Sequence, residues 1–188
     1  MERPRDLTIQ VDEDTQLRLV REEDAEEYLA LIQSDREHLR AFMDWVDTIH
    51  NVEYELAFIN ARLEEYDRGA GVQFAVVHRG RVVGATGTMS LDRVNEVAEI
   101  GYFVASTHQG RGMMTRAVGA LVDHLFRVEG MHRVYARVLT TNRRSRALAG
   151  RLGLRLEGVH REEYKLRGEH HDVEVHSILI QEWEALRG

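Results

Sequence analysis

The 188-residue sequence contains no cysteine and only one proline, Pro4. Without cysteine the chain has no disulfide, no thiolate ligand for zinc and no cysteine nucleophile, so any group transfer must proceed without a thiol on the protein. The lack of proline beyond position 4 leaves no obvious linker, and no internal repeat or low-complexity tract is visible. The length and the 43% content of hydrophobic residues therefore predict one compact domain rather than two.

Long apolar runs are also lacking. No window approaches the roughly 18 consecutive apolar residues of a membrane-spanning helix. The first ten residues do not contain the apolar stretch of a signal peptide. These observations predict a cytoplasmic protein that has no membrane partner.

Positive charge is in deficit, because 25 basic residues face 32 acidic ones for a formal net charge of −7. This balance argues against a broad nucleic-acid-binding surface but allows a small local anion site. Residues 1–94 hold 20 acidic and 11 basic side chains, whereas residues 95–188 hold 12 and 14. The second half therefore suits an anionic ligand better. Its arginines are concentrated between Asn142 and Arg167. Instead of binding an anionic ligand, these arginines could simply form a solvent-exposed charged surface.

Hydrophobic periodicity predicts an α/β order of elements. Ser34 and Glu37 form a capping-box signature for a short second helix, and Asn51 is a candidate N-cap for a third. Helical spacing is found in the segments 22–33, 34–42, 51–69, 110–128 and 142–152. Strand patterns are found in the segments 16–20, 72–78, 82–89, 97–105, 133–139, 156–165 and 172–180.

The most informative segment runs from Glu99 to Thr115, where a strand passes through a glycine-spaced loop into a long helix. Gly110 and Gly112 allow the backbone to approach a ligand closely. The first amides of a helix are unpaired and carry the positive end of its dipole, so such a turn can bind phosphate oxygens. The segment lacks the Gly-Lys-Ser/Thr of a Walker loop and the third glycine of the dinucleotide fingerprint. Taken alone, Gly-x-Gly is also common in ordinary turns.

The loop residues Gln109-Gly-Arg-Gly-Met-Met114 resemble the Gln/Arg-x-x-Gly-x-Gly/Ala acetyl-coenzyme A motif of the GCN5-related N-acetyltransferases (GNAT). Met114 departs from the usual small final residue, but a larger residue followed by threonine is similar to the RimJ/RimL branch, which acetylates ribosomal-protein N-termini. Further segments that resemble this branch are Arg40 to Trp45, Asn142 to Ser145, Leu152-Gly153-Leu154, Glu157-Gly158, Glu163-Tyr164, Gly168 and His171-Asp172.

The resemblance implies a single N-acetyltransferase domain over residues 1–188, with an α/β (α+β) fold. The expected sheet is mixed, mostly antiparallel, seven-stranded and splayed at its centre, with helices on both faces. Within the domain, 21–70 is the helical substrate-side segment, 97–154 the acetyl-CoA-binding core and 155–180 the C-terminal hairpin.

The implied cofactor is acetyl-CoA. Its pantetheine is expected to pair with the strand around Tyr102 to Val104, its pyrophosphate to meet the amides from Gly110 to Thr115, and its ribose phosphate to meet Arg111 first, with Arg116 or an arginine in 143–151 as alternatives. The cofactor-binding residues that the resemblance implies are Tyr102, Phe103, Val104, Gln109, Gly110, Arg111, Gly112, Met113, Met114, Thr115, Asn142 and Ser145.

Acetyl transfer from a thioester to an amine needs a base for the amine and a proton for the leaving thiolate. The resemblance makes Glu163 or Glu99 the base and Ser145 the acid, with Tyr164 as a second candidate for the acid. Each glutamate could instead be a sheet-edge carboxylate paired with an arginine. Asn142 could serve as an N-cap as well as a cofactor contact.

Trp45, Met43 and Tyr164 are the candidate acceptor-binding residues, although core packing explains the aromatic side chains equally well. The acid-rich first half fits a cationic acceptor, either a protein N-terminus or a small amine such as a polyamine or an aminoglycoside. The alternative function from a different class is a non-catalytic module that binds acyl-CoA. The presence of the candidate acid Ser145 and the candidate base Glu163 favours an enzyme over such a module. The sequence does not specify the oligomeric state and leaves a homodimer open.

Four polar residues share one face of the last predicted strand, because their sequence positions are two apart: His170, Asp172, Glu174 and His176. A metal site there is disfavoured, since nothing elsewhere supplies a tight ligand pair and such alternation is typical of a half-exposed strand. Because the sequence has the cofactor loop and no cysteine, the acetyl group should pass directly from donor to amine in a ternary complex.

Overall fold

The computed structural model describes residues 3–187 and is built around one mixed sheet. Its strands are β1 (Thr8–Gln10), β2 (Thr15–Leu19), β3 (Gln73–His78), β4 (Arg81–Asp92), β5 (Val97–Val104), β6 (Arg133–Leu139), β7 (Arg155–Leu166) and β8 (Glu169–Leu179). The strand order is β1-β2-β3-β4-β5-β6-β8-β7. Neighbouring strands are antiparallel except β5 and β6, which are parallel.

Six α-helices accompany the strands in the described part of the chain. They are α1 (Ala25–Ser34), α2 (Arg36–Leu39), α3 (Val52–Asp67), α4 (Met113–Arg127), α5 (Arg143–Arg151) and α6 (Ile180–Ala185). Helix α3 packs against α1 and β3, and α4 packs against β2, β4, β5 and β6. No helix between residues 3 and 187 has the length and apolar character needed to cross a membrane.

The mixed α/β fold is confirmed, but the sheet has eight strands rather than the predicted seven. The additional strand, β1, is only three residues long, and it pairs with β2 through the register Ile9↔Leu17. Its residues Thr8 and Gln10 are polar and exposed. Such a short segment has no periodicity of its own, and its strand conformation depends on pairing with β2.

The helices also differ from the predicted ones in three respects. Ser34 is not an N-cap: it ends α1, and its hydroxyl donates to the carbonyl of Leu31 at 2.9 Å. Helix α4 begins at Met113 instead of residue 110, since Gly110 and Gly112 have positive φ angles of 79° and 68°. Helix α6 was not predicted, and it buries Trp183 against the core.

The sheet separates at its centre, as the resemblance implies. Strand β5 pairs with β4 over its whole length, Val97 to Val104, but pairs with β6 only from Val97 to Glu99. Strand β6 meanwhile pairs with β8 from Arg133 to Leu139. Beyond Glu99, therefore, no strand of the described chain pairs with the β6-facing edge of β5, and a gap opens between the two strands.

Candidate active site

A cavity of about 570 Å³ lies along this unpaired edge of β5 and at the beginning of α4. We call it the coenzyme-side cavity. Among the predicted cofactor-binding residues, Arg111 is the one that does not line it, and Arg111 is exposed. The predicted residues that do line the cavity are Tyr102, Phe103, Val104, Gln109, Gly110, Gly112, Met113, Met114, Thr115, Asn142 and Ser145.

The loop before α4 has the backbone conformation that a close ligand contact requires. The positive φ of Gly110 and Gly112 is readily adopted by glycine and costs other residues energy. A Cβ added to Gly110 would meet nothing within 4 Å, so this backbone is open to the cavity. The first amides of the following 15-residue helix have no partner within the helix, which makes them available to an anion.

Positive charge on this cavity comes from α5 rather than from Arg111. The lining includes three arginines of that helix, Arg143, Arg144 and Arg151. Arg144 donates to the side-chain oxygen of Gln109. The amide nitrogen of Gln109 lies 2.7 Å from Nε2 of His38, so α5, the loop and α2 are connected beside the cavity.

A second cavity, of about 850 Å³, lies between the helices α1 and α3 and the sheet face of β3 to β6. We call it the acceptor-side cavity. Its lining includes the predicted acceptor-binding residues Met43, Trp45 and Tyr164, together with Glu99, Ser145 and Glu163. Side chains that line both cavities are those of Phe42, Met43, Tyr102, Phe103, Asn142 and Ser145. The two cavities therefore meet around Ser145.

Arg137 joins the two candidate bases. Its Nε lies 2.9 Å from Oε1 of Glu99, and its Nη1 lies 3.1 Å from Oε1 of Glu163. Glu99 also accepts a hydrogen bond from the hydroxyl of Tyr135 at 3.1 Å. Burial opposes the charge on Arg137, but the two carboxylates outweigh it and raise the pKa of the guanidinium. Both glutamates are thus paired with an arginine and also face the acceptor-side cavity.

Ser145 is held from two sides. Its hydroxyl oxygen lies 2.7 Å from the phenol oxygen of Tyr102, and its backbone amide donates to Oδ1 of Asn142 at 3.1 Å. Asn142 is therefore the N-cap of α5, one of the two roles left open for it. Burial raises the pKa of Tyr102, with the Ser145 hydrogen bond acting in the opposite direction.

Tyr164 and Glu163 reach the site through an irregularity in the β7–β8 pairing. The register shifts between His160 and Tyr164, and the backbone amide of Glu162 in this bulge donates to Oδ1 of Asp172 at 2.9 Å. The phenol of Tyr164 donates to Oδ1 of Asp44 at 2.7 Å. Burial, together with this bond to Asp44, raises the pKa of Tyr164 to about 12.

The strand face considered for a metal has other contacts. Glu174 is buried and paired with Arg146 at 2.8 Å and with His176 at 2.7 Å. Over residues 3–187, no group of three or more histidine and carboxylate side chains is arranged to hold a metal ion.

Several residues of the acceptor-side cavity were missed at the sequence level, among them the charged residues Arg137 and Glu55. Arg137 depends on strand register, for which the sequence has no local signal. Glu55 has one: it precedes Ile59 and Leu63 at intervals of four on the buried face of α3. A glutamate at such a core position indicates either a buried ion pair or a functional carboxylate.

Comparisons with known proteins identify the family and agree with the fold. The profile of the acetyltransferase (GNAT) domain family matches residues 15–155. The chain is 30% identical over 179 residues to YdaF of Bacillus subtilis (strain 168), whose name provisionally assigns it as a ribosomal N-acetyltransferase, with 95% of this chain and 98% of that protein covered. It is 25% identical over 173 residues to the ribosomal-protein-serine acetyltransferase of Escherichia coli (strain K12), covering 92% and 97%. The fold matches the solved structure of RimL, a ribosomal L7/L12 α-N-protein acetyltransferase in complex with coenzyme A, with a TM-score of 0.90, 24% identity and coverage of 93% and 98%.

Proposed function

This chain belongs to the GNAT family of acetyltransferases and is an acetyl-CoA-dependent N-acetyltransferase; from that premise we propose that its acceptor is the α-amine of a protein N-terminus. The observation that carries the proposal is the acceptor-side cavity. Its volume of about 850 Å³ lies in the upper part of the usual range for ligand sites, roughly 300–1,000 Å³. Its lining includes the exposed side chains of Tyr54, Phe58 and Met89, over which a longer chain can leave the site. The name of the E. coli relative favours the same acceptor class.

The coenzyme-side cavity fits acetyl-CoA, which when bound supplies an acetyl group activated as a thioester. In the proposed arrangement, the amides from Gly110 to Thr115 hold the pyrophosphate, and the backbone from Tyr102 to Val104 holds the pantetheine along the unpaired edge of β5. Arg143, Arg144 and Arg151 supply the positive charge for the ribose phosphate. The open, left-handed Gly110 and the gap between β5 and β6 are the features that support this fit.

The chain provides a candidate for each proton movement. In the proposed mechanism, Glu163 or Glu99 takes a proton from the acceptor ammonium, directly or through water. His160, whose Nδ1 lies 3.2 Å from Oε1 of Glu163, offers that proton a route to solvent. Ser145 donates its hydroxyl proton to the leaving sulfur, and Tyr102 replaces it across their 2.7 Å hydrogen bond. The phenol then recovers a proton from solvent as the products leave. The C–N bond forms and the C–S bond breaks within one complex, because the chain has no cysteine to carry the acetyl group.

Three variants test these roles: Glu163→Gln, Glu99→Gln and Ser145→Ala. We expect kcat to fall about 100-fold for Ser145→Ala and for the glutamate that acts as the base, while coenzyme A binding is retained. Unchanged turnover in all three variants would contradict the assignment. Isolation of an acetylated form of the enzyme as an intermediate would contradict direct transfer.

The acceptor class is tested by measuring acetyl-CoA consumption with N-terminal peptides, polyamines and aminoglycosides. We expect the highest kcat/KM with peptides, and mass spectrometry of the product should locate the acetyl group on the α-amine. A clear preference for a polyamine or an aminoglycoside would replace this proposal with small-amine acetylation.

A further inference from the structure

Glu55 is a buried carboxylate that has no partner in the described chain. It lies in the first turn of α3, is 4% exposed, and lines the acceptor-side cavity. Neither a hydrogen bond nor an ion pair reaches its carboxylate from residues 3–187. Buried carboxylates are normally paired, because leaving water without compensation is costly. Burial accordingly raises the pKa of Glu55 to about 7.

The two arginines that line this cavity, Arg62 and Arg137, pair with carboxylates other than Glu55. Arg62, seven residues along α3, donates to Oε1 of Glu65 at 2.7 Å, and its guanidinium lies 5.5 Å from the ring centre of Phe58. Arg137 is held by the two candidate bases. The lining carries four carboxylates, those of Asp44, Glu55, Glu99 and Glu163, against these two guanidiniums. The cavity therefore favours a positively charged ligand group.

Glu55 lies on a different wall from the proposed chemistry. Helix α3 packs against α1 and β3, whereas Ser145 belongs to α5 and Glu163 to β7. The neighbouring titratable group on α1 is Tyr28, whose pKa burial raises well above 10, so it contributes a neutral phenol. A cation placed at Glu55 is thus a second group on the acceptor, separate from the amine that reacts.

We propose that Glu55 binds a second cationic group of the acceptor, an ammonium or a guanidinium, within the acceptor-side cavity. The inference rests on the proposed function and narrows it to protein N-termini that carry a lysine or arginine side chain within the first few residues. Tyr54 and Phe58, on the same helix and lining the same cavity, suit the apolar stem of such a side chain. A free diamine offers the same chemistry and is the alternative source of the second cation.

The test compares acceptors that differ only in the second cation. The peptide probes are serine-initiated tetrapeptides with lysine at the second or third position, each matched with a norleucine analogue. The amine probes are 1,4-diaminobutane and butylamine. Enzymes to be compared are the wild type, Glu55→Gln, Glu55→Asp and the control Glu53→Gln, which changes an exposed glutamate two residues away on α3.

We expect the wild type to prefer a lysine peptide over its norleucine analogue by about 10-fold or more in kcat/KM, mainly through KM, as for a hydrogen bond between charged groups. Glu55→Gln should reduce this preference to within about twofold, because kcat/KM falls more for the lysine peptide than for its norleucine analogue. Glu55→Asp should keep part of the preference, and Glu53→Gln all of it. Thermal unfolding at pH 8 checks folding, and Glu55→Gln should unfold at a higher temperature than the wild type because it removes a buried charge.

An equal loss with both peptides of a pair would overturn the proposal, since Glu55 would then act in the chemistry or the fold. The proposal would also be overturned if the wild type preferred neither lysine peptide over its norleucine analogue and did not prefer 1,4-diaminobutane over butylamine. If the diamine alone is acetylated and its preference over butylamine depends on Glu55, this inference stands and the protein N-terminus proposal fails. If peptides are acetylated and the preference for lysine does not depend on Glu55, the protein N-terminus proposal stands and this inference fails.

Discussion

The hydroxyl of Ser145 and the phenol of Tyr102 form a 2.7 Å hydrogen bond across the gap in the central sheet. Tyr102 belongs to β5, whereas Ser145 lies on the helix that follows β6. The bond therefore connects the two halves of the splayed sheet at the point where the two cavities meet. Since burial raises the pKa of Tyr102, its phenol stays neutral at physiological pH and can donate a hydrogen bond to the Ser145 hydroxyl.

This relationship predicts that Tyr102 and Ser145 act as one unit. Tyr102→Phe keeps the ring but removes the hydroxyl, and we expect kcat to fall about fivefold, the value of one neutral hydrogen bond. The double variant Tyr102→Phe/Ser145→Ala should be no slower than Ser145→Ala alone, because the phenol has no role without the serine. Steady-state kinetics of the three variants checks this. Multiplicative losses would mean that the two hydroxyls act independently.

Arg137 is predicted to be a positioning residue for the acceptor half of the reaction. Its bonds to Glu99 and Glu163 orient both carboxylates, and it lines the acceptor-side cavity but not the coenzyme-side cavity. We expect Arg137→Met to lower kcat roughly 10- to 100-fold, since small misplacements of catalytic groups are costly. The KM for acetyl-CoA should stay within twofold. Arg137→Lys should recover little, because one ammonium cannot reproduce the two-sided guanidinium contact.

The matched control for this prediction is Arg133→Met. Arg133 lies on the same strand, four residues earlier, and pairs with Glu157 through two bonds of 2.6 Å outside both cavities. We expect this change to affect stability while leaving kcat near the wild-type value. A similar loss of kcat in both variants would assign the Arg137 effect to the sheet rather than to the carboxylates.

Elements with a strong pattern of their own were predictable from the sequence. Strand β6 runs from Arg133 to Leu139, as predicted, and Asn51 caps α3 by accepting a hydrogen bond from the amide of Tyr54 at 3.1 Å. Short elements were not predictable, since β1 forms only by pairing with β2 and α6 packs through Trp183. Local periodicity carries no information about such distant contacts.

The candidate site was likewise predictable only in part. Glu99, Ser145 and Glu163 were predicted by resemblance, and they all reach one cavity. Their connection was not predictable, because it depends on the parallel register Glu99↔Tyr135, which brings β5 and β6 together where Arg137 contacts Glu99. Helix spacing could have indicated Glu55, but the absence of a partner for it is a property of the packed structure.

The strongest electrostatic contribution to stability is predicted at Glu129, whose side chain is 5% exposed. Arg3 pairs with its carboxylate, Arg93 contacts it at 2.5 Å and His124 at 3.3 Å. Burial opposes its ionisation, but these hydrogen bonds outweigh it and hold the pKa of Glu129 far below its ordinary value. An acid with a depressed pKa stabilises the fold above its unfolded-state pKa of about 4.5, and the contribution disappears as the pH falls below that value.

Glu129→Gln should therefore lower the free energy of unfolding by about 3–5 kcal/mol at pH 7, the usual cost of breaking a buried ion pair. Urea unfolding from pH 7 to pH 3 measures it, and the difference between variant and wild type should shrink as the pH falls. Asp14→Asn is the control, because its pair with Arg79 is exposed and should contribute less than about 1 kcal/mol. A Glu129→Gln effect that is as small as the control, or that does not change with pH, would contradict this account of the cluster.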